Sequence, residues 1–243
     1  MEGHFPVLFL LARPGAGKSE VIRFLKGLDP AERLRDYHVG ELAEIDDFPM
    51  LWTWFEEDAI LRELGHPALY TDDAGYFKDI LLWDLLIRRI GLEYAKFLRD
   101  HPGWNSRGTV LVEFSRGVQH GGFRRAFDHL SPELLSRGSA LYIDVSWEES
   151  LRKNRSRFNP EKPDSILEHG LSDEKLEILY RHSDWSQLAP GSEGTLSAGS
   201  FRVPYAVMPN EDDVTTPGGP ALGARLKETL ERLWRLHEGT HRT

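Results

Sequence analysis

The sequence predicts an α/β domain built on a mainly parallel, five-stranded sheet, and three observations lead there. Short, continuously apolar runs alternate with segments of helical periodicity along the chain. The first such run, Pro6-Val7-Leu8-Phe9-Leu10-Leu11, does not alternate with polar residues, as expected for a central strand covered on both faces. A glycine-rich segment joins that run directly to a helical pattern, placing a loop at the carboxyl end of a strand, where ligands bind in open parallel sheets.

Taken in order, residues 38–45 form a weaker second strand, 109–112 a third, 140–145 a fourth and 203–208 a fifth. Helices are read between them. Residues 19–28 carry apolar side chains at 21, 22, 24, 25 and 28 and stop at Asp29-Pro30, and residues 77–98 repeat apolar positions at intervals of three and four. Ser131-Pro132-Glu133 places a cap before a proline suited to a first helical turn, while Ser146-Trp147-Glu148-Glu149 is a capping box opening the helix after the fourth strand. Residues 50–64 and 221–236 are further helices, and 186–200 and 215–220 read as exposed loops rich in Gly, Ser, Thr and Pro.

The 243 residues, 40% hydrophobic and 28% charged, are read as one domain spanning 1–243, with a possible lid at 152–185. The net charge, 30 minus 39 or −9, opposes non-specific nucleic-acid binding, which rests on clustered Lys and Arg neutralising phosphates. The chain has no cysteine, which excludes disulfides, thiolate zinc sites and a cysteine nucleophile. Its apolar runs are too short for a membrane helix, so the expected location is the cytoplasm, with no membrane partner. The oligomeric state is left open.

The glycine-rich segment is Ala12-Arg13-Pro14-Gly15-Ala16-Gly17-Lys18-Ser19. Strand, loop and helix together match the Walker A context, with Ala12 where glycine is commoner. Glycines let backbone N–H groups close around phosphate oxygens, the helix N-terminus adds a favourable dipole, Lys18 supplies a cation to the β/γ phosphates, and Ser19 ligates Mg²⁺. On these residues, the acidic third strand and the arginines after the fourth, the chain resembles the P-loop kinases of the adenylate-kinase-like type. That resemblance implies a three-layer P-loop fold with strand order 2-3-1-4-5, ATP as phosphoryl donor, and nucleotide contacts along residues 13–19. It also implies a contact to the base from Asn210, beyond the fifth strand.

Val110-Leu111-Val112-Glu113 places a carboxylate at a strand end, where it holds Mg²⁺ or is an ordinary polar terminus, and Arg116 follows in reach of the acceptor or its phosphate. Asp46 and Asp47, after the second strand, either orient and deprotonate the acceptor hydroxyl or cap the helix that follows. Trp52, Trp54 and Phe55 line an acceptor pocket or pack the core. Arg152, Lys153, Arg155 and Arg157 put four cations within six residues, either as a lid on the transferring phosphoryl group or as a solvated helix face, with Arg155 preferred and Arg152 second.

Taken together these residues lead to an ATP- and Mg²⁺-dependent small-molecule kinase, with Lys18, Asp46, Asp47, Glu113, Arg116, Arg152 and Arg155 as catalytic candidates and Ser19 and Glu113 at the metal. The acceptor stays unidentified. The rival from another class is a nucleotide-binding switch with slow or no turnover.

Overall fold

The computed structural model describes residues 3–157 and 171–241. At its centre lies a six-stranded sheet in the order β2-β3-β1-β4-β6-β5. Strand β1 (Val7–Ala12) pairs in parallel with β3 (Gly108–Phe114) and β4 (Gly138–Asp144). Strand β2 (Glu41–Asp46) joins the outer side of β3, and β6 (Phe201–Pro209) the outer side of β4, both in parallel.

The continuous apolar character of β1 has the expected cause, since both of its faces are buried. Val7, Phe9 and Leu11 enter one core with Ile87, Ile90 and Tyr94 of helix α4 (Leu81–Asp100) and Phe123 and Phe127 of α5 (Gly122–His129). Leu8, Leu10 and Ala12 enter the other with Val21, Ile22 and Leu25 of α1 (Lys18–Gly27), Tyr37 of α2 (Pro30–Tyr37), and Leu222, Leu226, Leu230 and Leu233 of α10 (Gly219–His241). A helix–sheet–helix sandwich results, with two cores divided by the pleat.

The expectation of five strands is corrected to six. Strand β5 (Glu193–Ala198) runs antiparallel to β6 inside the stretch read as a loop, and the two form a hairpin turning at Gly199, whose φ of +58° suits glycine. Glycine and serine disguised it, but Leu196 and Ala198 are buried against the sheet. The segment expected as the fifth strand is β6. Strand β2 was the weakest in sequence because it is an edge strand, with Ile45 as its one fully buried residue.

Helix α3 (Asp47–Glu63) leaves the end of β2, and its buried Asp58 organises the loop beyond it. Asp58 accepts hydrogen bonds from the N–H groups of Leu69 and Thr71, both at 2.6 Å, and from the Thr71 hydroxyl at 2.7 Å. These bonds hold residues 69–71 against α3, and Thr71 forms an isolated antiparallel bridge with Phe77. Helix α6 (Pro132–Leu135) precedes β4, and α7 (Trp147–Arg157), α8 (Asp173–Tyr180) and α9 (Trp185–Leu188) follow it. Of the possible lid at 152–185, residues 158–170 lie outside the described residues. Among the described residues no helix is long and apolar enough to cross a membrane.

Candidate functional site

The loop between β1 and α1 has the backbone its glycines allow. Gly15 has a φ of +75° and Gly17 a φ of +114°, conformations costly for any residue with a side chain. Gly17 is also the N-cap of α1, and no side-chain hydrogen bond caps that helix. The first-turn N–H groups of α1 therefore face the cleft as a ready anion site.

A second constraint comes from behind the loop. A Cβ on Gly17 would lie 2.4 Å from Thr215 Oγ1, so the loop backbone rests directly on that side chain. Thr215 is held in turn by Asn210 Nδ2, which donates to Thr215 Oγ1 at 2.8 Å and to the Ala16 carbonyl at 2.9 Å. Lys153 Nζ donates to Thr215 Oγ1 at 2.8 Å and to Asp213 Oδ1 at 2.5 Å. From α7, Ser150 Oγ donates to the Pro14 carbonyl at 2.8 Å. Asn210, expected at the base, is fully buried and braces the loop instead.

In front of the loop lies a cleft of about 170 Å³ lined by Pro14, Gly15, Lys18, Ser19 and the ends of β2 and β3. Asp46 and Glu113 are register partners on adjacent parallel strands, so the sheet itself sets the two carboxylates side by side. Lys18 Nζ lies 3.5 Å from Glu113 Oε1 and donates to Ser115 Oγ at 2.7 Å. Asp46 Oδ1 accepts from the Phe48 N–H at 2.9 Å, capping α3. Burial, reinforced by the charges of Glu113 and Asp47, raises the Asp46 carboxyl to about 7.

Asp47 does different work. Its Oδ2 lies 2.6 Å from Arg116 Nη1, and both side chains are buried. Arg116 also donates through Nη1 to the Ser115 carbonyl, and its guanidinium lies over the ring of Trp83 at 5.1 Å, while among the described residues Nη2 is buried without a partner. Asp46 thus caps α3 and Asp47 forms a buried ion pair, and both line the cleft.

The structure accordingly brings together Pro14, Gly15, Lys18, Ser19, Asp46, Asp47, Glu113 and Arg116, with Ala16 and Gly17 forming the back of the loop. It does not bring Arg13, Arg152 or Arg155 into the cleft. Arg13 donates to the carbonyls of Val145, Tyr180 and Arg181, tying the loop to the segments after β4 and α8. Arg152 pairs with Glu149 and Asp213, and Arg155 with Asp173 on the exposed side of α7. From α7 it is Asn154 that reaches the cleft wall, its Nδ2 donating to the Leu171 carbonyl at 2.7 Å.

Sequence reasoning missed Trp83, His120 and Tyr180, which arrive from α4, the turn at Val118–His120 and the end of α8. No motif marks them, because only the fold brings these segments together. Trp83 stacks on His120 at 3.7 Å between ring centroids, and burial, then the charge of Arg116, pushes the His120 imidazole well below its ordinary pKa. Trp83 and Tyr180 line both the cleft and a larger adjoining cavity of about 550 Å³, which Trp52 and Phe55 also line. Trp54, by contrast, is buried and packs on Tyr70.

These donors fit a phosphate chain and a hard cation. The uncapped N-terminus of α1, Lys18 and the Arg116 guanidinium are anion ligands, whereas the Ser19 hydroxyl and Glu113 carboxylate are oxygen donors of the kind Mg²⁺ takes. Among the described residues no group of three or more His, Asp or Glu is placed to hold a metal ion. A cation at this cleft would therefore draw on phosphate oxygens as well as protein, the usual arrangement for Mg²⁺.

No protein-family model matches the chain, and no curated protein sequence matches it. Among solved structures, the crystal structure of TT1252 from Thermus thermophilus is similar over 96% of each chain, with a TM-score of 0.39 and 14% sequence identity, and that likeness carries no argument about function.

Proposed function

We propose that the protein is a magnesium-dependent phosphotransferase of the P-loop three-layer type, passing a phosphoryl group from ATP to a small molecule. The observation that carries this reading is the braced loop of left-handed glycines opening α1, set against Lys18, Arg116 and the Asp46–Glu113 carboxylate pair. Lys18 binds β/γ oxygens as a point charge, and Ser19 and Glu113 hold Mg²⁺. Held by Ser19 and Glu113, the metal would supply charge neutralisation during transfer.

The remaining work falls to side chains already positioned. Arg116 is fixed by Asp47 and Trp83 and needs no reorganisation to meet an anionic group, which is where preorganised charge is most effective. Asp46 is anchored by its capping bond and orients the acceptor hydroxyl, accepting its proton as transfer proceeds. Asn210, Thr215 and Lys153 keep the loop in shape without touching substrate.

A screen of γ-phosphate transfer from ATP to pooled hydroxylated metabolites tests the proposal, with Lys18→Ala as the control. Acceptor-stimulated ADP release that is lost in the control is the expected result. Nucleotide binding with no acceptor-stimulated turnover would favour a switch protein instead.

A further inference from the structure

Beside the phosphate cleft lies the cavity of about 550 Å³, within the size range of small-molecule sites. Phe48, Leu51, Trp83, Leu171 and Tyr180 line both spaces, so the cavity adjoins the cleft along these side chains. The cavity adds Trp52, Phe55 and Phe77 to its surface, and Ile80 and Ile178, 42% and 46% exposed, stand on its lining. Many of its rings already engage one another edge-on or stacked: Phe77 meets Trp83 at 4.9 Å and Phe55 at 5.6 Å between centroids. Flat aromatic ligands match such a lining because they offer ring faces and edges to it at little entropic cost.

Two polar features restrict the occupant further. His120 is 2% exposed, and its Nδ1 accepts the Gly117 N–H at 3.3 Å. A neutral imidazole with Nδ1 accepting carries its hydrogen on Nε2, and among the described residues that nitrogen is buried without a partner. An unmatched buried donor in a cavity wall asks for an acceptor oxygen on the ligand. Among the described residues of the lining Lys175 carries a charge and none is a carboxylate, so this lining disfavours cations despite its aromatic rings.

We propose that this cavity is the acceptor subsite and takes a planar, hydroxylated aromatic molecule, neutral or anionic, with a further oxygen that accepts from His120 Nε2. The inference rests on the phosphotransferase reading for the word acceptor. In the transfer, the aromatic's hydroxyl oxygen bonds to the γ-phosphorus as the bond to the nucleoside diphosphate breaks. The hydroxyl proton passes to Asp46.

Calorimetric titration of the nucleotide-free protein with 7-hydroxycoumarin, 4-hydroxybenzoate and choline tests the subsite. The two aromatics should bind saturably and choline should not. His120→Phe keeps a ring against Trp83 but loses the donor, and should weaken 7-hydroxycoumarin about five- to tenfold, the worth of about one hydrogen bond. Ile178→Asp, at a partly exposed position, should weaken 4-hydroxybenzoate more than 7-hydroxycoumarin. Failure of both aromatics to bind the folded protein, equal binding of choline, or unchanged affinity in both variants would overturn the proposal. ATP titrated in parallel separates the two readings. ATP binding without aromatic binding overturns the subsite alone, whereas aromatic binding without ATP binding removes the phosphotransferase and, with it, the acceptor role.

Discussion

Replacing Asp46 by Asn should make the protein more stable and less active, and the stability gain should depend on pH. Asp46 is pushed from 3.8 to about 7 by burial and by the charges of Glu113 and Asp47. A carboxyl raised in the folded state favours folding while protonated, and that contribution is fully present below about pH 4 and lost as pH rises through about 7. At pH 8 the ionised side chain costs up to about 4 kcal/mol of stability, from about three pKa units at about 1.4 kcal/mol each. At pH 5, where only the unfolded chain is ionised, the cost is about 2 kcal/mol by the same linkage. Asparagine retains an oxygen for the Phe48 N–H and is itself a good N-cap, so the cap survives. Any misfit of its amide is the same at both pH values. The stability advantage of Asp46→Asn over the parent should therefore grow by about 2–3 kcal/mol between pH 5 and pH 8, measured by urea unfolding without Mg²⁺. Turnover should fall by about two orders of magnitude or more, as for loss of a general base. An advantage that is absent at pH 8, or unchanged between the two pH values, would refute the burial and carboxylate crowding inferred at this strand end.

Further outcomes follow from the neighbouring residues. Gly17→Ala places a side chain at a φ of +114° and within 2.4 Å of Thr215 Oγ1, so urea unfolding should show a loss of about 1–3 kcal/mol and ATP titration a weakened complex. Arg116→Met leaves Asp47 buried without its counter-ion and should cost about 3 kcal/mol or more in the same assay. Arg155→Ala removes an exposed pair with Asp173 well outside the cleft wall, and both the urea midpoint and the turnover should stay at the parent values. A fall in kcat for that variant would restore Arg155 to the transferring group.

The sequence made the centre of this molecule legible and its periphery much less so. Strand β1 could be read because burial on both faces forces an unbroken apolar run, and the loop after it because left-handed backbone demands glycine at 15 and 17. Glu113, Asp46, Asp47 and Arg116 were found because strand ends converge in a parallel sheet whatever the rest of the chain does. Strand β5 was missed because an edge strand buries only alternate residues and tolerates the glycine and serine that mark loops. The α7 arginines show a different limit. Charge density on a helix is visible in sequence, but the partners that absorb it, Asp213 and Asp173, lie 61 and 18 positions further along the chain from Arg152 and Arg155, and only the fold reveals that Lys153 faces inward while Arg155 faces out. Trp83, His120 and Tyr180 carry no spacing signal because they meet through tertiary structure alone.

The phosphotransferase proposal depends on the loop at residues 12–19 holding the phosphates of a nucleoside triphosphate. Calorimetric titration of Mg²⁺ and ATP into the parent protein and into folded Lys18→Ala tests it most directly. Lys18 is buried beside Glu113 and Ser115, so its fold should be checked by circular dichroism in the same samples. Saturable binding by the parent, weakened tenfold or more in the variant, is the predicted result; no binding by the parent, or equal affinity in both, would contradict it.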